Sequence, residues 1–187
     1  MNLSDLNIDR SWTLFLDRDG VINRRILNGY VMTPDDFEFL PGVLEALKKL
    51  RDLFGRIIVV SNQQGVGRGV MTTAALDAIH AKMMEEVVKH GGRIDKVYHS
   101  PYREEEQSIY RKPAVGMGLK ARKEYPGIVF KRSLMAGDSV MDMLFGRRLG
   151  MVTVLIAPDD RVARKYPLLV DFCIPDLLAL AQAVSGK

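Results

Sequence analysis

Cysteine is almost missing from this chain of 187 residues. Cys173 stands alone, so the sequence can form no intrachain disulfide and no cysteine-built zinc centre, and a reducing, cytoplasmic compartment is the expectation. No apolar stretch reaches the roughly 18 residues of a membrane span. The first residues lack a basic patch followed by an apolar run, so no signal peptide and no membrane partner are expected. A large excess of one charge is missing too: 27 Lys and Arg face 23 Asp and Glu, a net +4. That balance suits anionic small molecules, phosphate esters among them, and is too small to indicate nucleic acid by itself. No stripe of alternating aromatic and basic residues is present to stack single strands, which argues against a nucleic-acid partner. Repeats, low-complexity tracts and interdomain linkers are absent as well. Nothing fixes an oligomeric state.

What is present is ordinary globular material, 47% hydrophobic and 27% charged, enough for one core and one domain over residues 1–187. Apolar runs alternate with amphipathic ones, the βαβ signature of a parallel sheet covered on both faces. Strands are expected at Trp12–Leu16, Arg56–Ser61, Ile94–Ser100, Ser133–Gly137, Met151–Ile156 and Phe172–Ile174. Helical spacing runs through Val43, Leu44, Leu47, Leu50 and Phe54. A second helix, capped by Thr72, places Leu76, Ile79, Met83, Met84, Val87 and Val88 on one stripe. Pro113 stands where proline opens a helix, running to about Tyr125. Two more are expected, over Val140–Leu149 and from Asp176 onward. The fold class is α/β, a three-layer, Rossmann-like parallel sheet.

In such sheets ligands bind beyond the carboxyl ends of the strands. Asp17-Arg18-Asp19-Gly20 follows the first apolar run and Ser61-Asn62-Gln63-Gln64-Gly65 the second. Arg111-Lys112-Pro113 opens a helix on the same side, and Gly137-Asp138 with Asp142 follows the fourth run. Four polar clusters are thus expected at one edge. Asp17, Asp19, Asp138 and Asp142 together would repel unless a cation or protons intervened. Hard carboxylate and carbonyl oxygens suit Mg²⁺, Lys112 adds a fixed positive charge, and a phosphoryl group would complete the balance.

These four clusters resemble the motifs of haloacid-dehalogenase-type phosphohydrolases over roughly residues 12–156. The wording Phe15-Leu-Asp-Arg-Asp-Gly-Val-Ile-Asn23, Gly29-Tyr30, Ser61-Asn-Gln-Gln-Gly65, Arg68-Gly69 and Arg111-Lys-Pro113 is similar to the D-glycero-D-manno-heptose 1,7-bisphosphate phosphatases and the related histidinol-phosphate phosphatases. Those relatives usually carry a zinc-binding loop of cysteines and a histidine before the Arg-Lys-Pro. Here residues 99–110 hold no cysteine, so no structural zinc is expected. The resemblance implies Asp17 as nucleophile and Asp19 as general acid and base, its pKa raised by neighbouring carboxylates. It implies Ser61 and Lys112 as phosphoryl stabilisers. Mg²⁺ would lie on Asp17, the Asp19 main-chain carbonyl and Asp138, with Asp142 supporting from behind or through water. Asn62, Gln63, Gln64 and Arg111 would bind substrate, Arg111 through a second phosphate. The gaps flanking Ser61 are largely spent on helices and a strand, so no separate cap domain is expected.

The function expected is Mg²⁺-dependent hydrolysis of a phosphorylated sugar, a heptose bisphosphate first, through an aspartyl-phosphate. A histidinol-phosphate phosphatase is an alternative. So is a polynucleotide 3′-phosphatase, since the 3′-phosphatase domain of polynucleotide kinases also follows its Arg-Lys-Pro with Gly-Met, as in Gly116-Met117. A silent phosphate-binding module on the same fold is the alternative of another class. His80 and His90 read as surface or core-edge residues, His99 as solvent-facing, Cys173 as a buried small hydrophobe. Gly65, Gly67 and Gly69 read as a flexible turn, and Glu104–Glu106 as a solvated loop tip.

Overall fold

The computed structural model describes residues 2–186. Its strands are β1 (Thr13–Leu16), β2 (Arg56–Asn62), β3 (Lys96–Ser100), β4 (Ser133–Gly137), β5 (Val152–Ile156) and β6 (Phe172–Ile174). All pair in parallel, in the order β3-β2-β1-β4-β5-β6. The chain leaves β1 toward one edge and returns to build the other half from β4. The crossover direction therefore reverses at β1, and a crevice opens where the loops after β1 and β4 part.

Side-chain alternation along the strands explains the layers. Leu14, Leu16, Ile57, Val59, Leu134 and Ala136 face one way, against α1 (Val43–Leu53), α3 (Thr73–Lys89) and α7 (Leu177–Ser185). Phe15, Ile58, Val60 and Met135 face the other way, against Met117 and Ala121 of α4 (Gly116–Glu124) and Phe145 of α5 (Val140–Leu149). Both faces are apolar, so these strands lack the polar alternation of a half-exposed sheet. Helix α1 buries Val43, Ala46, Leu47 and Leu50 at one-turn spacing. The Thr72 side chain caps α3 by accepting from the Ala75 N–H at 3.1 Å. Two short helices, α2 (Gln64–Gly67) and α6 (Arg161–Lys165), complete the set.

Several expectations shift. β1 starts at Thr13, β3 at Lys96 and β5 at Val152, each a residue or two later than the apolar run suggests, while β2 runs one residue further, to Asn62. The α3 stripe keeps Leu76, Ile79, Met83 and Val87, but Val88 is exposed and His80 takes the inward place beside Ile79. Each i, i+4 step drifts by about 40° around a helix of 3.6 residues per turn, so position 80, one step from Leu76, still faces inward, whereas Val88, three steps along the same row, has turned outward. Pro113 does not open α4. Residues 111–114 form a turn closed by the Ala114 N–H on the Arg111 carbonyl at 2.8 Å, and the helix begins at Gly116, whose N–H bonds Ile109 O at 2.8 Å. A Cβ at residue 116 would stand 2.4 Å from that same oxygen, so the approach needs glycine. Gly65 and Gly67 lie within α2 rather than in a flexible turn. Cys173 is half-buried, with its thiol 3.4 Å from Asp159 O. Glu104–Glu106 forms one exposed 3-10 turn.

Candidate active site

Asp17 is the first residue beyond β1, and its N–H donates to Ala136 O of β4 at 3.0 Å. That bond extends the ladder by one step and draws the carboxylate inside, where it is 6% exposed. From β4 the chain passes through Asp138 to Ser139, which caps α5. The Ser139 hydroxyl donates to Asp142 Oδ2 at 2.5 Å, placing a fully buried Asp142 beside Asp17. Lys112 arrives from the turn before α4. Asn62, at the end of β2, grips its main chain at both ends: Nδ2 donates to Lys112 O at 3.0 Å and Oδ1 accepts from Lys112 N at 2.9 Å.

The buried Lys112 ammonium donates to Asp17 Oδ1 at 2.8 Å, Asp142 Oδ1 at 2.5 Å and Val60 O at 2.7 Å. All three of its protons are thereby used. Burial opposes its charge most strongly, yet Asp142 and Asp17 together hold it above the usual lysine range. Burial pushes the Asp17 carboxyl up to about 6, against the pull of Lys112 and with the push of Asp142 and Asp19. Burial, then the charge of Asp17, raises Asp138 to about 7.

Among the described residues, Asp17, Asp138 and Asp142 bring carboxylate oxygens within 4.8 Å of one another. The structure shows where a cation fits among them. Arg25 Nη2 lies 2.7 Å from Asp138 Oδ1, 3.0 Å from Asp19 O and 3.8 Å from Asp17 Oδ2. Two carboxylates and a main-chain carbonyl thus converge on one positive group, and the donor set is the all-oxygen kind that hard divalent cations take. Gly20 makes this approach possible. Its φ is +93°, and a Cβ there would stand 1.9 Å from Asp138 Oδ2.

The Asp19 carboxylate turns away from this cluster. It accepts from Arg18 Nη2 at 2.9 Å, Asn23 Nδ2 at 3.0 Å and Gln63 Nε2 at 2.7 Å. Burial pushes its carboxyl up, but the Arg18 guanidinium outweighs that, with Asn23 and Gln63, and holds it below the usual carboxylate range. The expectation of a raised value is therefore corrected: three donors, one of them cationic, face Asp19, and they overcome its burial.

The cleft over these groups has a volume of about 310 Å³. Asp17, Asp19, Asn62, Gln63, Gln64, Arg111, Lys112 and Asp142 line it, so most of the expected residues meet there. Asp138 lines an adjoining hollow with Gly20. Ser61 does not line the cleft: it is 1% exposed and its hydroxyl accepts from Gln63 Nε2 at 2.7 Å. Gln63 therefore bridges Ser61 and Asp19, and Asn62 holds Lys112. Arg111 lines the cleft and a second hollow of about 210 Å³ beside Arg148, with Nη1 on Tyr102 O at 3.2 Å. Three contributors escape the sequence reading. Arg18 and Asn23 sit inside the quoted motif but carry no role there, and Arg25 stands in an irregular loop with no periodicity to mark it. His80, read as surface or core-edge, is 6% exposed and touches Arg18, while His99 is half-buried with its ring 5.6 Å from that of His80.

Comparison with known proteins agrees with this geometry. The polynucleotide kinase 3 phosphatase family matches residues 14–165. The D-glycero-alpha-D-manno-heptose-1,7-bisphosphate 7-phosphatase of Mycobacterium bovis is 40% identical over 132 residues, 71% of this chain and 70% of that protein. The D-glycero-beta-D-manno-heptose-1,7-bisphosphate 7-phosphatase of Escherichia coli K12 is 32% identical over 182 residues, 93% and 94% of the two chains. A crystal structure of the D,D-heptose 1,7-bisphosphate phosphatase from B. bronchiseptica, complexed with magnesium and phosphate, superposes with a TM-score of 0.82 at 28% identity, covering 94% of this chain and 98% of that one. With its crevice, its paired aspartates after β1 and its buried lysine, this chain belongs to the polynucleotide kinase 3 phosphatase family and is a haloacid-dehalogenase-type phosphatase of the heptose-bisphosphate phosphatase group.

Proposed function

We propose that this phosphatase removes the 7-phosphate of a D-glycero-D-manno-heptose 1,7-bisphosphate, with Asp17 as nucleophile. One observation carries the reading: Asp17 is buried with one oxygen held by Lys112, Asp19 stands two residues on, and both line one cleft. Relatives named for the alpha and the beta anomer support the substrate class without choosing between them.

The free Asp17 oxygen attacks phosphorus, forming an acyl-phosphate bond as the bond to the sugar oxygen breaks. Lys112 keeps Asp17 ionised and oriented for that attack. Asp19 gives its proton to the departing sugar oxygen, then takes one from the water that attacks phosphorus. That second attack releases inorganic phosphate and restores Asp17. In the free enzyme Asp19 is held ionised, which suits the base role; an arriving phosphate dianion raises its proton affinity by like-charge repulsion, so that Asp19 takes up a proton from solvent as substrate binds and has it to give as the acid. Asp17, Asp138 and the Asp19 carbonyl would hold Mg²⁺, which when bound neutralises phosphoryl charge. Asp142, tied to Lys112 and Ser139, steadies that group from behind. Arg111 reaches the substrate's second phosphate from the hollow it shares with Arg148.

The test is phosphate release, with and without Mg²⁺, from both heptose bisphosphate anomers, histidinol phosphate, hexose phosphates and a 3′-phosphorylated oligonucleotide. The expected result is a Mg²⁺-dependent preference of at least about 10²-fold for one heptose anomer, lost in Asp17→Asn. A preference for the oligonucleotide or histidinol phosphate would replace the substrate and leave the chemistry standing.

A further inference from the structure

His80 is a buried titratable side chain with no part in the reaction so far. Its Nε2 lies 3.1 Å from Arg18 Nη1. A guanidinium has only donors, so Nε2 is the acceptor, the imidazole is neutral and its proton is on Nδ1. Burial, then the charges of Arg18 and His99, keeps it neutral, pushing its pKa down to about 3. The other end of the same guanidinium, Nη2, donates to Asp19 Oδ1. Arg18 is 1% exposed, its Nε finds no partner, and the Phe37 ring lies 5.9 Å from Cζ. The ring restrains the guanidinium plane but not its rotation within that plane. Among the described residues, the side-chain hydrogen bonds that fix this rotation come from His80 and Asp19.

We propose that His80 is a positioning residue for proton transfer to the leaving group: it holds Arg18 from behind, so that Arg18 aims Asp19. The inference rests on Asp19 as the acid. A buried guanidinium that loses its acceptor turns to find another, and Asp19 then loses the partner that sets its direction. A histidine that merely fills space predicts nothing of the kind, because an apolar side chain of similar size would serve as well.

Leaving groups separate the two. A sugar alkoxide needs a proton as it departs, whereas p-nitrophenolate leaves without one. In His80→Leu, kcat/KM for the preferred sugar phosphate falls by about 10²-fold, the lower range of general-acid contributions, while kcat/KM for p-nitrophenyl phosphate stays within about threefold. His80→Gln, whose amide oxygen can reach the Nε2 position, restores most of the loss. If His80→Leu does not fold, His80→Asn replaces it, since it keeps a polar amide whose oxygen stops short of Arg18. Asp19→Asn is run alongside. Selective loss in Asp19→Asn without selective loss in the His80 variants overturns the role of His80. Equal loss on both substrates in Asp19→Asn overturns Asp19 as the acid instead. Equal loss in His80→Leu and His80→Gln also overturns the proposal.

Discussion

Replacing Lys112 with methionine removes a buried cation and leaves its two buried partners, Asp17 and Asp142, facing each other across the gap. Breaking a buried ion pair in this way costs about 3–5 kcal/mol. At roughly 2–4 °C per kcal/mol for a chain of this size, the melting temperature should fall by about 6–20 °C at pH 8 without metal. The cost should depend on pH, with a definite sign. Asp17 is already raised to about 6 with Lys112 beside it, and the variant, lacking that pull, raises it further. A carboxylate whose folded pKa lies above its unfolded one contributes stability below the unfolded value and loses it as pH rises through the folded value. At pH 5 the orphaned Asp17 can take up a proton, each pH unit above its pKa being worth about 1.4 kcal/mol. The deficit against the unaltered protein should therefore shrink by more than half from pH 8 to pH 5. Urea unfolding in EDTA at both pH values measures this. A deficit below about 1 kcal/mol, or one equal at the two pH values, would refute the buried triad as the organising contact of the site.

The metal-free protein itself should lose stability between pH 5 and 8, because Asp17 at about 6 and Asp138 at about 7 are both raised; Mg²⁺ at a hundred times its pH 8 Kd should add about 2.7 kcal/mol at pH 8, and the same concentration should protect less at pH 5.5 by calorimetry. A Mg²⁺ shift that ignores pH would remove these carboxylates from the binding site. Arg25→Met should bind Mg²⁺ roughly fivefold more tightly in titration calorimetry, the equivalent of about 1 kcal/mol for a partly exposed ion pair, because the guanidinium no longer competes for Asp138 and the Asp19 carbonyl; weaker binding would contradict this. Gly20→Ala should weaken Mg²⁺ binding and reduce phosphatase activity by about 10²-fold, since its Cβ displaces Asp138 and its positive φ costs about 1–3 kcal/mol of strain. Unchanged metal affinity would show that Asp138 tolerates displacement.

The layered fold was legible because β2, β4 and β5 are short, mostly apolar runs, their polar residues confined to the strand ends apart from Thr153, and α1 repeats its apolar positions every turn. Asp17, Lys112 and Asp142 could be placed together because Asp17 stands at the mouth of a strand, Lys112 in the turn before a helix and Asp142 in the first turn of the helix that follows β4. Direction and partnership were not legible. Nothing local says that the Asn62 amide spends both ends on Lys112, or that Gln63 faces Asp19, since all three bonds cross between distant segments. The Asp19 shift was misjudged because its acidic neighbours are close in sequence, while the decisive donors are a backward-turned Arg18 and a remote Gln63. The sequence leaves His80 between surface and core edge because nothing local shows that a buried Arg18 lies beside it.

The position of β1 at the seam of the sheet has a consequence for making the protein in pieces. Pro126 and Gly127 form an exposed turn between α4 and β4. A break there leaves Asp17, Asp19 and Lys112 on the first fragment and Asp138 and Asp142 on the second. The first fragment would carry β1 as a bare apolar edge, ready to accept a strand, and the second carries β4, the strand that belongs there. Neither half holds a complete acidic cluster, so phosphate release becomes a reporter of strand docking, and the two halves make a complementation pair whose signal appears only when the seam closes.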